Sequence, residues 1–187
     1  MTETQTGTKI PGYVAGTWTI DGLHSEVGFS VRHMMVSKVR GKFTKFAGEI
    51  VTAEDLLQSS VTAEIDLASI DTGAEQRDGH LRSPDFFDTE NHPQMTYRSA
   101  GLRADGDDYV LDGELTLKGV TKNVPLKLEV NGFGPDAYGG TRAGFTASGH
   151  INRSDFGITW NSAIEGGGVV VADRVDLHLE IEAVLKA

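Results

Sequence analysis

Apolar and polar residues alternate along most of the chain, with the period of two that predicts a β-strand with one buried and one wet face. The clearest run lies near the C-terminus, where Val175, Leu177, Leu179 and Ile181 alternate with charged residues and a histidine. Similar segments of varying regularity occur at 18–20, 27–33, 39–51, 61–67, 95–102, 109–117, 124–130 and 142–151. These segments, about nine in all, predict an all-β protein.

Short turns separate the predicted strands. The turn signals are Asp21-Gly22, Asp105-Gly106, Lys118-Gly119 and Gly139-Gly140. Glycine occurs 23 times in 187 residues and proline five times, which suits strands that bend. Many strands with short links favour an antiparallel meander closed into a barrel. Eight strands is near the size at which a barrel either fills with side chains or holds one slim ligand.

One segment departs from the strand pattern and predicts a short helix near residues 74–83. Thr72 and Glu75 have the spacing of a capping box, and Arg77, His80 and Leu81 follow at helical intervals. Pro84 disfavours helical geometry at Ser83 and so ends the helix. We expect this helix to lie across one end of the barrel.

The inward faces of the predicted strands mix large and small residues. Those predicted to line a lumen are Trp18, Ile20, Phe29, Val31, Phe86, Leu111, Leu115, Leu126, Leu128, Phe145, Ile151, Leu177 and Leu179. Small residues share this parity at Ala63, Gly113, Ala143, Ala147, Gly149 and Ala183. Two interpretations remain open: these positions leave space for a ligand, or they accommodate tight corners and large neighbours.

Composition narrows the classes of partner. The net charge is −10, and no Lys/Arg cluster occurs along the sequence, which argues against nucleic acid and against an anionic bilayer surface. There is no cysteine, hence no disulfide or thiolate site. An outer-membrane barrel would need aromatic girdles and a polar lumen, which this sequence does not suggest.

The composition is uniform after the first dozen or so residues, so we expect a mobile tail over 1–13 and one domain over 14–187. The N-terminal stretch lacks the basic and apolar regions of a secretory signal. No apolar run is long enough for a transmembrane helix. The expectation is therefore a cytoplasmic protein without stable membrane insertion.

Candidate polar chemistry centres on the predicted helix. Arg77 and His80 lie three residues apart and share a helix face, with Asp78 beside them. A guanidinium there could hold a phosphate or a quinone oxygen. The alternative is that Arg77 and Asp78 pin the helix to the barrel.

Two further groups are candidates for a ligand head group. Arg153 and Asp155 follow a predicted strand and either reach the same mouth or stabilise a turn. His24 and Ser25 follow a turn, where they either touch ligand or satisfy backbone groups. The six histidines lack the spacing of a helical zinc site, and no nucleophile elbow occurs, so we expect neither a metal site nor catalysis.

Several motifs, taken in order, resemble the YceI family of polyisoprenoid-binding proteins. They are DGLHSEVGFSVRH (21–33), GKF (41–43), FAG (46–48), SIDT (69–72), RDGHL (77–81), DFFD (85–88), GELTLKGVT (113–121) and NRSDFG (152–157). The likeness covers about residues 16–187. His92 stands where the family pattern suggests an aromatic residue before proline, and many relatives are exported.

The resemblance implies an extended, lipocalin-like antiparallel barrel with one helix. It also implies non-catalytic binding, storage or transport of a long-chain isoprenoid lipid, of the polyprenyl phosphate or isoprenoid quinone type, with no other cofactor. Members are often dimeric, so a homodimer is an expectation. The alternatives are an enzyme acting on an isoprenoid or other amphipathic molecule, and a packed barrel with a structural or stress-related role.

Overall fold

The computed structural model describes residues 10–161 and 170–186. Its strands are β1 (Gly16–Ile20), β2 (Glu26–His33), β3 (Ser37–Phe43), β4 (Phe46–Thr52), β5 (Ser60–Asp66), β6 (Ile70–Asp71), β7 (Gln94–Asp105), β8 (Asp108–Leu117), β9 (Val120–Asn123), β10 (Leu126–Pro135), β11 (Thr141–Asn152) and β12 (Val171–Leu185). The helix is α1 (Glu75–Arg82), and 3-10 turns span Leu56–Gln58, Leu67–Ser69 and Arg153–Phe156.

Eight of these strands form a closed ring in the order β1-β4-β5-β7-β8-β10-β11-β12. Every pairing is antiparallel, and β12 returns to β1, where Trp18 lies opposite Leu185. Closure leaves these strands without free edges at this end of the molecule. The predicted eight-stranded antiparallel barrel with one short helix is confirmed.

The barrel is extended by strands that bend. β12 has 15 residues and pairs with β1 near its C-terminal end and with β2 along the rest of its length. β3 continues the sheet beside β2, and the two-residue β6 follows it. β1 and β2, which follow each other along the chain, are thus two parts of one long strand interrupted by a bend. The same holds for β3 and β4 and for β5 and β6.

The prediction of a single strand over 39–51 is wrong, because the chain bends at 44–45 between β3 and β4. Phe43 and Phe46 both face the barrel interior although they lie three residues apart, and a straight strand would put them on opposite faces. The backbone N–H of Thr44 donates to the carbonyl of Ser69 at 3.2 Å, which joins this bend to the one between β5 and β6.

The predicted helix is present, but its capping box is not. Ala74 occupies the N-cap and makes no side-chain cap. The buried carboxylate of Asp78 accepts instead from the backbone N–H of Thr72 at 2.9 Å and from its hydroxyl at 2.5 Å. Since Thr72 is held by Asp78, the chain stays extended there, and α1 begins only at Glu75.

Side chains fill one part of the barrel near the ring closure. Trp18, Ala143 and Ala183 are almost fully buried there, and the ring of Phe133 packs edge-on against Trp18 at 5.5 Å. The indole N–H of Trp18 donates to the hydroxyl of Thr52 at 2.8 Å. We call Trp18, Phe133, Ala143, Phe145 and Ala183 the end cluster.

An ion-pair network holds the bend between β1 and β2 on the outside of the barrel. Arg142 donates to Asp21 at 2.8 Å, to Glu182 at 2.9 Å and to Asp136 at 3.2 Å. His24 contacts Asp21 at 2.7 Å. Hydrogen bonds from Arg142 and His24 hold the pKa of Asp21 well below its usual range.

Replacing Asp21→Asn is expected to lower the free energy of unfolding by about 1 kcal/mol at pH 7, because a charged hydrogen-bond acceptor for Arg142 and His24 is lost. The folded-state pKa of Asp21 is depressed, so its stabilisation is complete above the unfolded-state pKa of about 4 and declines as the pH falls below it. Denaturant unfolding at pH 7 and at pH 3 measures both effects.

The matched control is Asp107→Asn, at an exposed turn position between β7 and β8. The deficit of Asp21→Asn relative to this control should shrink at pH 3. A deficit of the same size at both pH values would contradict the assignment.

Candidate lipid-binding lumen

A cavity of about 270 Å³ lies inside the barrel beside the end cluster. On the same measure a single water needs only about 10–15 Å³, so the barrel is not filled by its own side chains. All but one of the residues predicted to line a lumen border this cavity: Ile20, Phe29, Val31, Phe86, Leu111, Leu115, Leu126, Leu128, Phe145, Ile151, Leu177 and Leu179. Whether they contact a ligand remains a prediction.

Trp18 is the exception. Its parity is inward, but it belongs to the end cluster and does not border the cavity. Its indole N–H requires a polar partner when buried, and Thr52 supplies one near the end of β4. Trp18 therefore packs the ring closure, and its assignment to the lumen wall is wrong.

The small inward residues fall into both of the interpretations left open by the sequence. Ala63 and Ala147 border the cavity and leave it room. Gly113 accommodates the ring of Tyr97, which lies 2.4 Å from the position that a Cβ would occupy. Ala143 and Ala183 lie in the end cluster. The lumen thus owes its space to only some of these positions.

Alternation did not identify several residues of the lumen wall. Phe43 and Phe46 flank a bend, where the period of two fails. Leu81 comes from α1, and Phe87 follows Phe86 in the turns after the helix, so neither belongs to a strand. The spacing of Phe43 and Phe46 is the one signal in the sequence that could have revealed the bend.

Tyr97 and Thr52 place hydroxyl groups on the wall that are already bonded to the protein. The hydroxyl of Tyr97 donates to the carbonyl of Val124 at 2.9 Å, and burial raises the pKa of Tyr97. The hydroxyl of Thr52 accepts from Trp18 and donates to the carbonyl of Val14 at 2.8 Å. These groups offer little to a polar ligand, so the wall favours an apolar one.

Arg153 is the one predicted head-group residue that borders the cavity. It is 6% exposed and donates to the carbonyls of Ala172 at 2.9 Å, Ile158 at 3.0 Å, Trp160 at 2.8 Å and Val171 at 3.1 Å. Burial lowers the pKa of Arg153, against the opposing field of Asp173. Within 10–161 and 170–186, no carboxylate lies within ion-pair distance of this guanidinium. The wall therefore holds a positive charge balanced by carbonyl dipoles.

The three polar candidates on the helix, Arg77, Asp78 and His80, do not border the cavity. Arg77 donates to the hydroxyl of Thr72 at 2.7 Å and to its carbonyl at 2.8 Å. Asp78 accepts from the same residue, so both pin the helix to the end of β6, the alternative left open by the sequence. His80 contacts Asp85 at 2.8 Å, and its ring lies edge-on to Trp160 and to Phe86. It supports the cavity wall from behind.

Among the other head-group candidates, Asp155 lies in the same 3-10 turn as Arg153, whereas His24 and Ser25 lie at the bend between β1 and β2. The hydroxyl of Ser25 donates to the carbonyl of Glu182 at 3.1 Å and accepts from its N–H at 2.9 Å, and His24 belongs to the ion-pair network. Asp155 is exposed, while Asp173 binds Ser154 next to it at 2.8 Å. Ser25 therefore bonds backbone groups, which is the second alternative left open by the sequence, and together with His24 it holds the bend on the barrel exterior. Contact of any of these residues with a head group stays a prediction.

Asp21, His24 and Glu182 place ligand-type atoms within 4.8 Å of one another. Such a group could hold a cation, but Arg142 already contacts both carboxylates. Both carboxylates are therefore already paired with a cation of the protein itself. Over the described ranges, the structure has no helix with the length and apolar character needed to cross a membrane.

A family model, a curated relative and a solved structure all indicate the same family. The YceI-like domain model matches residues 18–183. Protein YceI of Escherichia coli is 38% identical over 174 residues, which cover 91% of this chain and 88% of that protein. A crystal structure of the Campylobacter jejuni YCEI protein matches with a TM-score of 0.72 and 31% identity, covering 89% of this chain and 96% of the other.

A polyisoprenoid binding domain from Saccharophagus degradans has the same fold, with a TM-score of 0.69 and 18% identity, covering 92% of this chain and all of that domain (100%). This likeness is one of fold alone. The family model spans most of the barrel, from the end cluster to the last strand, and the full-length relatives agree with it. The chain belongs to the YceI family.

Proposed function

We propose that this protein binds one long-chain isoprenoid lipid in its lumen and stores or transports it without changing it chemically. The observation that carries the proposal is a cavity whose wall is apolar and whose polar groups at Thr52, Tyr97 and Arg153 are already bonded within the protein. The polyisoprenoid binding domain with the same fold supports this choice of ligand.

The tail of such a lipid would supply most of the affinity. Each CH₂ removed from water contributes about 0.8 kcal/mol, so one five-carbon prenyl unit contributes roughly 4 kcal/mol before the costs of binding. One charged hydrogen bond contributes about 1.5–3 kcal/mol. The tail therefore determines how tightly a lipid binds, and the head group determines which lipid is preferred.

Arg153 is the residue best placed to act on the head group. A guanidinium has five N–H donors, and four carbonyl oxygens accept from Arg153. No carboxylate among the described residues lies within ion-pair distance of its positive charge, so a phosphate or a quinone oxygen at this end of the lumen would gain from it. Arg77, the first candidate from the sequence, is occupied by Thr72 outside the cavity.

Catalysis is the alternative function. A reaction in the lumen would need a nucleophile or an acid–base group directed into it. Thr52, Tyr97 and Arg153 instead donate to backbone carbonyls. A cytoplasmic location and a homodimer remain predictions from the sequence and the resemblance.

Replacing Ala147→Phe is expected to reduce several-fold the long-chain lipid that co-purifies with the protein, because the added ring occupies the cavity. Native mass spectrometry and organic extraction of freshly purified protein measure the lipid per chain. The matched control is His150→Phe, which adds the same ring to the same strand at an exposed position.

Thermal unfolding checks that both variants fold, since overpacking costs roughly 1–3 kcal/mol. Equal lipid content in the two folded variants would contradict a ligand in the lumen. Chemical conversion of the extracted lipid on incubation with the wild-type protein would favour the enzyme instead.

For a series of ligands with the same isoprenoid chain, the wild-type protein is expected to bind the phosphate or the quinone at least about tenfold more tightly than the hydrocarbon, the equivalent of one charged hydrogen bond. Competition against a fluorescent lipid measures the ratios. Arg153→Lys, which keeps the charge but loses the planar fork, should narrow them.

Arg77→Ala is the control, because it removes a guanidinium that does not border the lumen and should leave the ratios unchanged. Equal affinity of the wild-type protein for all three ligands would overturn the role of Arg153. It would leave binding of the tail intact.

A further inference from the structure

The turn between β2 and β3 exposes three consecutive apolar side chains. Met34 is 45% exposed, Met35 61% and Val36 86%. The backbone N–H of Met34 donates to the carbonyl of Val170 at 2.8 Å, so the turn is attached to the chain just before β12. We call residues 34–36 the hairpin tip.

The backbone conformation of the turn does not favour methionine at 34 and 35. Met34 and Met35 lie in the three-residue turn between the paired residues His33 and Ser37. They adopt φ values of 52° and 63°, the left-handed region that asparagine and glycine adopt most readily. Two methionines there lose stability relative to Asn-Gly, and they also expose apolar surface. Neither burial nor turn chemistry accounts for them.

The outer face that leads to the hairpin tip is basic. Arg32 and Lys38 lie opposite each other on β2 and β3, next to the tip, and Arg40 lies opposite Ser30 further along. Arg174 is exposed on the neighbouring β12 and pairs with Asp176 at 2.9 Å. The hydrogen bond from Arg174, together with the fields of Arg174, Lys38 and His150, lowers the pKa of Asp176.

This grouping corrects the expectation from the sequence. No Lys/Arg cluster occurs along the chain, yet pairing of β12, β2 and β3 brings Arg32, Lys38, Arg40 and Arg174 onto one face of a protein whose net charge is −10. Cations that flank exposed apolar side chains fit an anionic bilayer surface, where the charges meet lipid head groups and the apolar groups enter the interface.

The tip also lies at one end of the lumen. Val31, three residues before Met34, borders the cavity, as does Val171, which is paired with His33. Arg153 donates to the carbonyl of Val171 at 3.1 Å. A surface that touches the hairpin tip is therefore close to the part of the lumen wall that carries the buried positive charge.

From these observations we infer that the hairpin tip and its basic flank form a docking surface for an anionic lipid bilayer. The contact is peripheral: the methionines and Val36 enter the interfacial layer, and Arg32, Lys38, Arg40 and Arg174 face the phosphates. The surface serves the proposed lipid-binding function by bringing the Arg153 end of the lumen to the membrane.

Sedimentation with vesicles of phosphatidylcholine and phosphatidylglycerol tests this inference at low and high salt. The wild-type protein should bind these vesicles, bind pure phosphatidylcholine vesicles much less, and dissociate as salt screens the charges. Arg32→Gln with Lys38→Gln should weaken binding by roughly fivefold for each cation removed. Met34→Asn with Met35→Gly, which suits the turn and so preserves the hairpin, should also weaken it.

Matched controls come from exposed positions elsewhere. Lys122→Gln with Lys127→Gln removes two exposed cations from β9 and β10, and Leu23→Asn removes an apolar side chain that is 93% exposed. Both should bind like the wild type. No binding to anionic vesicles, or equal losses in the tip variants and the controls, would overturn the docking surface.

Lipid in the lumen is measured separately on the same preparations. Vesicle binding without any lipid in the lumen would sink the proposed function and leave the docking surface standing. A filled lumen without vesicle binding would overturn the docking surface and leave the proposed function standing.

Discussion

One edge of β12 pairs with two successive strands, β1 and β2, and the rest of the structure depends on this constraint. Over its 15 residues it pairs with β1 near its C-terminal end and with β2 along the remainder. The bend between those two strands must therefore be fixed, and the network of Asp21, Arg142 and Glu182 fixes it. With the corresponding bends between β3 and β4 and between β5 and β6, the sheet extends beyond the closed ring through β2, β3 and β6. Phe43 and Ile70 of that region border the lumen.

The sequence predicts the walls of this barrel better than its bends or its polar sites. Alternation identifies one face of β12, β8 and β11 because each is a long strand that keeps the period of two over most of its length, although β12 shifts register between 171 and 175 beside β2. It fails at Phe43 and Phe46, where the chain changes direction, and at Phe87, which lies outside any strand. Trp18 shows a further limit, since inward parity does not distinguish a side chain packed in the end cluster from one that borders a cavity.

The order of the motifs along the chain did not reveal the roles of the polar residues Arg77 and Arg153. Arg77 and Arg153 both occur in motifs of the YceI family, and the sequence predicts both to bind a head group. The difference comes from partners elsewhere in the chain: Thr72 takes the hydrogen bonds of Arg77, whereas backbone carbonyls at 158, 160, 171 and 172 surround Arg153 inside the wall. The basic face is similarly invisible in the sequence, because its cations come from three strands.

The seam between Trp18 and Leu185 has a consequence for synthesis of the protein. β1 is the first and β12 the last of the described strands, and Ser25 bonds Glu182 across 157 positions. Pairings so distant in sequence make folding slow. The ring can close only when the C-terminal strand has left the ribosome, and until then the edges of β1 and β11 lack a partner. A nascent chain of this protein therefore passes through a stage in which its lumen is an open apolar sheet, the stage at which a chaperone would be most needed.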